Sequence, residues 1–204
     1  MKLYYSPGAC SLSPHIVLLE ADIDFSKESV DLQTHLTAGG VPLAQVHGKN
    51  YVPVLELDDG QRLTEGAAMV QYIADLRPAA GLLPPPGTLQ RYRVQEWLNF
   101  IASELHKTFI PLFRRDAISA DWRQTCADRL VRHLDWVEEH VRGEPWLVER
   151  FGVADAYLFT ILNWSSHAGI ELAQWPALQQ YAARVRARPA VRRALEAEGL
   201  IASA

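Results

Sequence analysis

The segment Tyr5-Ser6-Pro7-Gly8-Ala9-Cys10-Ser11-Leu12-Ser13-Pro14 sets a cysteine where a thiol can do chemistry. The short apolar run Leu3-Tyr4-Tyr5 before it reads as a strand. Leu12, Ile16 and Leu19 after it, at i, i+4, i+7, read as a helix. Ser-Pro-Gly is turn chemistry between the two. Cys10 is therefore expected at a strand-to-helix turn, near a helix N-terminus. Unpaired N–H groups and the positive end of the helix dipole favour an anion there. A thiolate is such an anion, and a cysteine so placed can have a depressed pKa and be nucleophilic at neutral pH. Cys10 and Ser13 also keep the spacing of C-x-x-C with a hydroxyl in place of the second thiol. Such a site forms a mixed disulfide that only another external thiol can resolve. A small residue buried at a helix start is the other reading, and these residues alone leave both open.

Three further groupings carry chemistry. Tyr51-Val52-Pro53-Val54 puts a proline at a strand entry, where it removes no ladder hydrogen bond. A cis bond at Pro53 would turn the backbone of Val52 outward to pair with an extended ligand; an ordinary trans proline is the alternative. Thr64-Glu65-Gly66-Ala67 marks a helix start. Its acidic charge suits the dipole, and the same carboxylate with free N–H groups could grip a ligand carrying an ammonium and a carboxylate. Asn99, Ser103 and His106, at i, i+4, i+7, form a polar stripe, with Lys107 four after Ser103 and Glu104 facing either solvent or a partner subunit. His106 could stabilise or protonate a nearby thiol. The seven histidines show no tight metal-ligand spacing, so no metal is expected.

These residues sit in a chain of 204, 49% hydrophobic and 22% charged, with a formal net charge of -4. That is an ordinary globular composition with room for one large domain or two small ones. The charge gives no reason to expect nucleic acid. Arg184, Arg186, Arg188, Arg192 and Arg193 read as a solvated surface. No apolar run reaches the ~18–20 residues of a membrane span. The turn at Ser6-Pro7-Gly8 arrives too early for a signal segment, so a cytoplasmic location is expected. Cys10 and Cys126 make no disulfide framework, and Cys126 reads as a small buried hydrophobe in an amphipathic helix.

The elements that must position the site follow from pattern. Strands are expected at Lys2–Tyr5, Phe25–Val30, Val54–Leu57 and Arg62–Thr64, the last two joined by the Asp58-Asp59-Gly60 turn. Helices are expected at Ser11–Ala21 and Glu65–Leu76, with residues 33–50 as loop containing a short irregular helix. The order β-α-β-α-β-β-α implies a small α/β sheet, parallel in its first half and a hairpin in its second. Four prolines and Gly81 between Pro78 and Pro86 mark a boundary. Beyond it, helices are expected at Leu89–Phe113, Asp121–Val141, Val153–Trp164, Ala177–Arg186 and Ala190–Glu198. Val153–Trp164 is apolar almost all round, as a buried central helix would be.

Taken together the chain resembles the cytosolic glutathione transferases, specifically the bacterial beta class. The resemblance runs nearly end to end, through residues 2–15, Val52-Pro53, Leu63-Thr64-Glu65-Gly66, Trp97–Phe100, Ser103–Lys107, Val153–Phe159 and Glu198-Gly199-Leu200-Ile201. It implies an α/β thioredoxin-like N-terminal domain over 1–80, a linker at 81–87 and an all-α domain over 88–204, assembled as a homodimer. It implies that Cys10 forms a mixed disulfide with glutathione and that His106 lies near the sulfur. Pro53 would be cis, with the Val52 backbone pairing the cysteinyl part of glutathione. Glu65 and Gly66 would hold the γ-glutamyl end. Asn99, Ser103 and Lys107 would line the site, and Glu104 would reach across the dimer. Other classes in the family use tyrosine or serine, which makes Tyr5 and Ser11 rival activating groups; Cys10 beside Ser11 favours Cys10.

The chain departs from the family pattern in places. Relatives commonly carry lysine near His35 and Leu36, to meet the glycine carboxylate of glutathione; His35, mostly neutral at pH 7, should weaken that contact. The loop before Val52 reads His47-Gly48-Lys49-Asn50, where Lys49 is a candidate replacement charge. Gly152 stands where a serine or threonine usually opens the buried helix. The implied activity is conjugation of glutathione, as co-substrate, to small electrophiles in detoxification. Thiol-disulfide exchange through Cys10 joins or replaces it, with disulfide-reductase or peroxidase side activity. Phe109, Phe113 and Trp164 are candidates for the electrophile pocket. The alternative is a non-catalytic scaffold of the same fold with weak glutathione affinity.

Overall fold

The computed structural model describes residues 1–113 and 117–202. The chain divides into two compact units, Met1–Leu83 with Arg188–Ala204, and Pro84–Ala187.

The first unit is built on a five-stranded sheet of order β3-β2-β1-β4-β5. Its strands are β1 (Lys2–Tyr5), β2 (Ser26–Asp31), β3 (Leu36–Thr37), β4 (Val54–Glu56) and β5 (Arg62–Leu63). β1 runs parallel to β2 and antiparallel to β4, with Tyr4 opposite Glu28 on one side and Val54 on the other. A central strand needs apolar residues toward both faces. β1 supplies them, since Leu3 and Tyr4 point to opposite faces and both are buried. Tyr4 packs with Val30, Leu43, Val46, Val52 and Val54. The opposite face is covered by α1 (Leu12–Glu20), which packs against α3 (Gly66–Leu76) and α10 (Pro189–Ala197). Every residue of α1 from Leu12 to Leu18 is buried, so it is a sandwiched helix rather than a one-stripe amphipathic one.

Two departures from the pattern reading matter here. Residues 33–50 contain the two-residue strand β3 as well as the short helix α2 (Leu43–Val46), so the order is β-α-β-β-α-β-β-α. A strand of two residues offers no period for sequence to reveal. The last helix, α10, belongs with the first unit rather than with a helical domain over 88–204. Its apolar side, Ala190, Val191, Ala194 and Leu195, is buried, and Arg188 just before it grips Glu20 of α1 with both carboxylate oxygens at 2.6 and 2.8 Å. The arginine cluster is thus partly consumed in packing, with Arg186 donating to Asn163 and Arg184 to the Pro145 carbonyl.

The second unit is helical: α4 (Leu89–Phe100), a wide π-helical turn (Ile101–His106), α5 (Lys107–Phe113), α6 (Ala120–Val141), α7 (Val153–Leu162), α8 (Ser165–Ala168) and α9 (Pro176–Arg186). All ten residues of α7 are buried. Its start is held by Asp155, whose carboxylate accepts the Gly152 N–H at 2.8 Å, the Leu147 N–H at 3.0 Å and the Tyr181 hydroxyl at 2.7 Å. Gly152 supplies no cap hydroxyl, so only the carboxylate half of a capping box exists. Burial pushes the Asp155 carboxyl up to about 6.

Candidate active site

The turn between β1 and α1 is closed from inside. The Ser11 hydroxyl accepts the Ser6 N–H and donates to the Ser6 carbonyl, both at 3.1 Å, and Ser11 is fully buried. Ser11 is therefore a clamp on the turn and presents no hydroxyl to a ligand. A second clamp comes from the far end of the chain. Glu198 accepts the Gly8 N–H at 2.9 Å through one oxygen and lies 2.7 Å from His15 Nδ1 through the other. Gly8 has φ +71, and a Cβ there would stand 3.3 Å from Leu200. Glycine meets both demands at that position.

The clamped turn presents Cys10, partly exposed, two residues before α1. Its Sγ donates to the Val52 carbonyl at 3.4 Å. The peptide bond between Val52 and Pro53 is cis. Thiol and strand-entry backbone are thus neighbours, across 42 residues of chain. Tyr5 lies apart from this arrangement. Its ring packs 6.2 Å from His15 and under the Lys27 ammonium at 4.9 Å. Burial, with the nearby Glu198 charge, raises its phenol above the ordinary tyrosine range. A phenol so placed stays protonated, so it can serve only as a hydrogen-bond donor.

Glu65 caps α3 with φ +68, and its carbonyl accepts the Ala68 and Met69 N–H groups. One oxygen of its carboxylate takes both the Lys49 ammonium at 2.6 Å and the Tyr51 hydroxyl at 2.5 Å. The sequence offered Lys49 as a replacement charge for the glycine end of a ligand; the structure instead pairs it with Glu65. Gly66 opens α3 directly behind. His35 has φ +57, and its carbonyl accepts the Leu43 N–H. Its Nδ1 is buried without a hydrogen-bond partner among the described residues.

In the second unit, the π turn carries Ser103, Glu104 and His106, with Asn99 near the end of α4 before it and Lys107 at the start of α5 after it. Asn99, Ser103 and Lys107 are exposed, and Ser103 donates to the Asn99 carbonyl at 2.9 Å. His106 turns away from them. Its Nδ1 lies 2.8 Å from the Tyr157 hydroxyl, and its ring meets Trp164 edge-on at 4.9 Å. Trp164 also meets Phe109 and Phe113, so the three aromatics named from sequence gather in one cluster with His106. Glu104 makes an ion pair within its own chain. It pairs with Arg129 of α6, with His133 Nε2 at 3.5 Å, and the Arg129 guanidinium holds its carboxyl below the ordinary glutamate range.

Four partners were not legible beforehand: Glu198 for the Gly8 turn, Tyr157 for His106, Arg129 for Glu104, and the Lys49–Tyr51 pair for Glu65. Each is a contact between segments distant in sequence, for which local pattern carries no signal. Among the described residues no three His, Cys, Asp or Glu side chains gather as a metal site. A cavity of about 280 Å³ in the helical unit, lined by Phe159, Asn163, Ser165, Ile170 and Arg186 among others, includes none of the sequence-derived site residues.

Comparison with known proteins places these features in a family. Residues 3–82 match the glutathione S-transferase N-terminal domain, and residues 100–189 the glutathione S-transferase C-terminal domain. The chain is 45% identical to glutathione S-transferase GstA of Escherichia coli O157:H7, covering 98% of this chain and 100% of that one. A sphingomonad glutathione S-transferase solved in complex with glutathione superposes with a TM-score of 0.94 at 44% identity, covering 98% of this chain and all of the other. The bacterial beta-class enzyme of Sphingomonas chungbukensis superposes equally well, TM-score 0.94 at 42% identity, with the same coverage. This chain belongs to the glutathione S-transferase family, in its bacterial beta class.

Proposed function

We propose that this protein is a glutathione transferase whose first unit binds glutathione beside Cys10. The observation that carries the reading is the contact between the Cys10 thiol and the Val52 carbonyl at 3.4 Å. An extended ligand that pairs its cysteinyl backbone with Val52 brings its own sulfur next to Cys10. Glu65 and the start of α3 then receive the γ-glutamyl end, and the His35 loop the glycyl end. His35 stands at that end where the resemblance implies a lysine, so a weaker grip on the carboxylate is expected.

Two reactions follow from this placement. In exchange, the Cys10 thiolate attacks the glutathione sulfur of a mixed disulfide between glutathione and a substrate thiol. The protein–glutathione disulfide forms, and the substrate sulfur leaves as a thiolate that takes up a proton. A glutathione thiolate then attacks the protein–glutathione disulfide and returns Cys10 as thiolate, with oxidised glutathione and the free substrate thiol as products. In conjugation, the glutathione thiolate itself attacks an electrophilic carbon and displaces its leaving group. Dipoles at the start of α1 favour the anion in both cases. His106 is assigned to hydrogen bonding at the sulfur, and Asn99, Ser103 and Lys107 to lining the ligand, on the resemblance. Phe109, Phe113 and Trp164 are assigned to the electrophile, because Phe113 remains 41% exposed at the edge of that aromatic cluster.

A homodimer and a cytoplasmic location complete the reading. Trp136, 53% exposed, packs against Phe100, Trp97 and His140 and presents an aromatic face suited to burial against a second copy. No described helix is long and apolar enough to cross a membrane.

Intact mass after incubation with oxidised glutathione tests the reading. One reducible glutathione per chain, absent from Cys10→Ala, is expected. No adduct on the wild-type protein would refute the exchange reaction and leave conjugation.

A further inference from the structure

The Glu65 carboxylate is already occupied by a cation of the chain's own. Lys49 Nζ lies 2.6 Å from Oε1, and the Tyr51 hydroxyl meets the same oxygen at 2.5 Å. The Lys49 ammonium also lies over the Tyr51 ring at 5.8 Å. Two side chains of one segment thus converge on one oxygen, beside a helix start. The pair is accessible: the Lys49 side chain is 42% exposed and that of Glu65 60% exposed. A ligand cation can therefore reach the carboxylate, and lysine can leave it for water. The loop that carries Lys49 is set by local geometry. Asn50 has φ +55, its N–H reaches the His47 carbonyl at 2.9 Å, and the Lys49 N–H reaches His47 Nδ1 at 3.2 Å. These bonds hold the backbone while leaving the lysine stem to swing.

We propose that Lys49 is an internal competitor for the ligand's ammonium group, setting how strongly the Glu65 subsite selects γ-glutamyl ligands that carry one. The inference rests on the reading of this site as a glutathione site. Glutathione brings one ammonium to Glu65 and two carboxylates elsewhere. Its ammonium must replace that of Lys49 at Oε1, so the carboxylate exchanges one cation for another. Loss of the first contact offsets gain of the second. A ligand without the ammonium has no reason to displace Lys49, and profits only from its positive charge nearby. The sign of the Lys49 effect therefore depends on the ligand. If Lys49 instead served as a receptor for a ligand carboxylate, its loss would weaken every carboxylate-bearing ligand alike.

The test is calorimetric titration of wild type, Lys49→Ala and Lys49→Gln with two probes. One is glutathione; the other is its des-amino analogue, glutaryl-cysteinyl-glycine, which keeps both carboxylates and the thiol. An exposed ion pair has a modest strength, so removal of Lys49 is expected to tighten glutathione by about two- to five-fold. The same variants should bind the des-amino analogue no better than wild type. The advantage of glutathione over its analogue thus rises in both variants. Unchanged or weaker glutathione binding in both variants would overturn the proposal, as would a parallel change for the two probes. Failure of wild type and variants alike to bind glutathione would overturn the glutathione reading itself, and the proposal with it.

Discussion

Removing the Glu198 carboxylate should loosen the cysteine turn from a point 188 residues away in the chain. The Glu198 side chain is fully buried and His15 is 2% exposed. One oxygen faces His15 Nδ1 and the other accepts the Gly8 N–H. Glu198→Ala removes the carboxylate that buried His15 faces and that accepts the Gly8 N–H. Loss of one member of a buried pair costs about 3–5 kcal/mol. Glu198→Gln keeps an oxygen for Gly8 and offers an amide to His15, so about 1–2 kcal/mol is expected, the scale of hydrogen bonds changed rather than lost. The choice of assay matters. All six tryptophans lie between Trp97 and Trp175, in the second unit, so intrinsic fluorescence would report the wrong part of the chain. Native-state amide exchange of β1 and α1 reads the first unit directly. Exchange protection there should fall by about two to three and a half orders of magnitude in Glu198→Ala, from 1.4 kcal/mol per factor of ten. A fall worth less than about 1 kcal/mol would refute the reasoning that this buried pair holds the turn.

Asp155 gives a pH-dependent expectation in the other unit. Burial raises its carboxyl from 3.8 to about 6, so the folded state binds the proton more tightly than the unfolded chain. Its favourable contribution is complete below about pH 4 and is lost as pH rises through 6, a change of up to about 3 kcal/mol. Relative to Asp155→Asn, which does not titrate, wild type should lose stability across that window; urea unfolding followed by tryptophan fluorescence at pH 4.5 and 7 checks it, and a constant difference would count against it. Arg129→Met should let the Glu104 carboxyl rise toward its ordinary value, read by carbon NMR titration, while changing stability by no more than about 1 kcal/mol because the pair is half exposed. A Glu104 titration that does not move would mean that Arg129 is not what holds it down.

The order of elements and the location of the thiol were legible because they depend on local patterns. A strand, a Ser-Pro-Gly turn and an i, i+4, i+7 stripe suffice to put Cys10 at a helix start. The apolar run Val153–Leu162 likewise announces a helix buried all round. What each polar side chain does was decided by tertiary structure, because that depends on what folds against it. Ser11 and Cys10 are adjacent in sequence, yet one turns into the core to clamp Ser6 while the other stays at the surface beside Val52. Lys49 carries a positive charge in any reading, but only the folded loop brings it onto Glu65. Glu104 shows no partner in sequence, and the position of α6 brings Arg129 to it. The grouping of α10 with the first unit has the same origin. Its amphipathic stripe shows in sequence that one face must be buried, and only packing decides that the face is buried in the unit that holds α1.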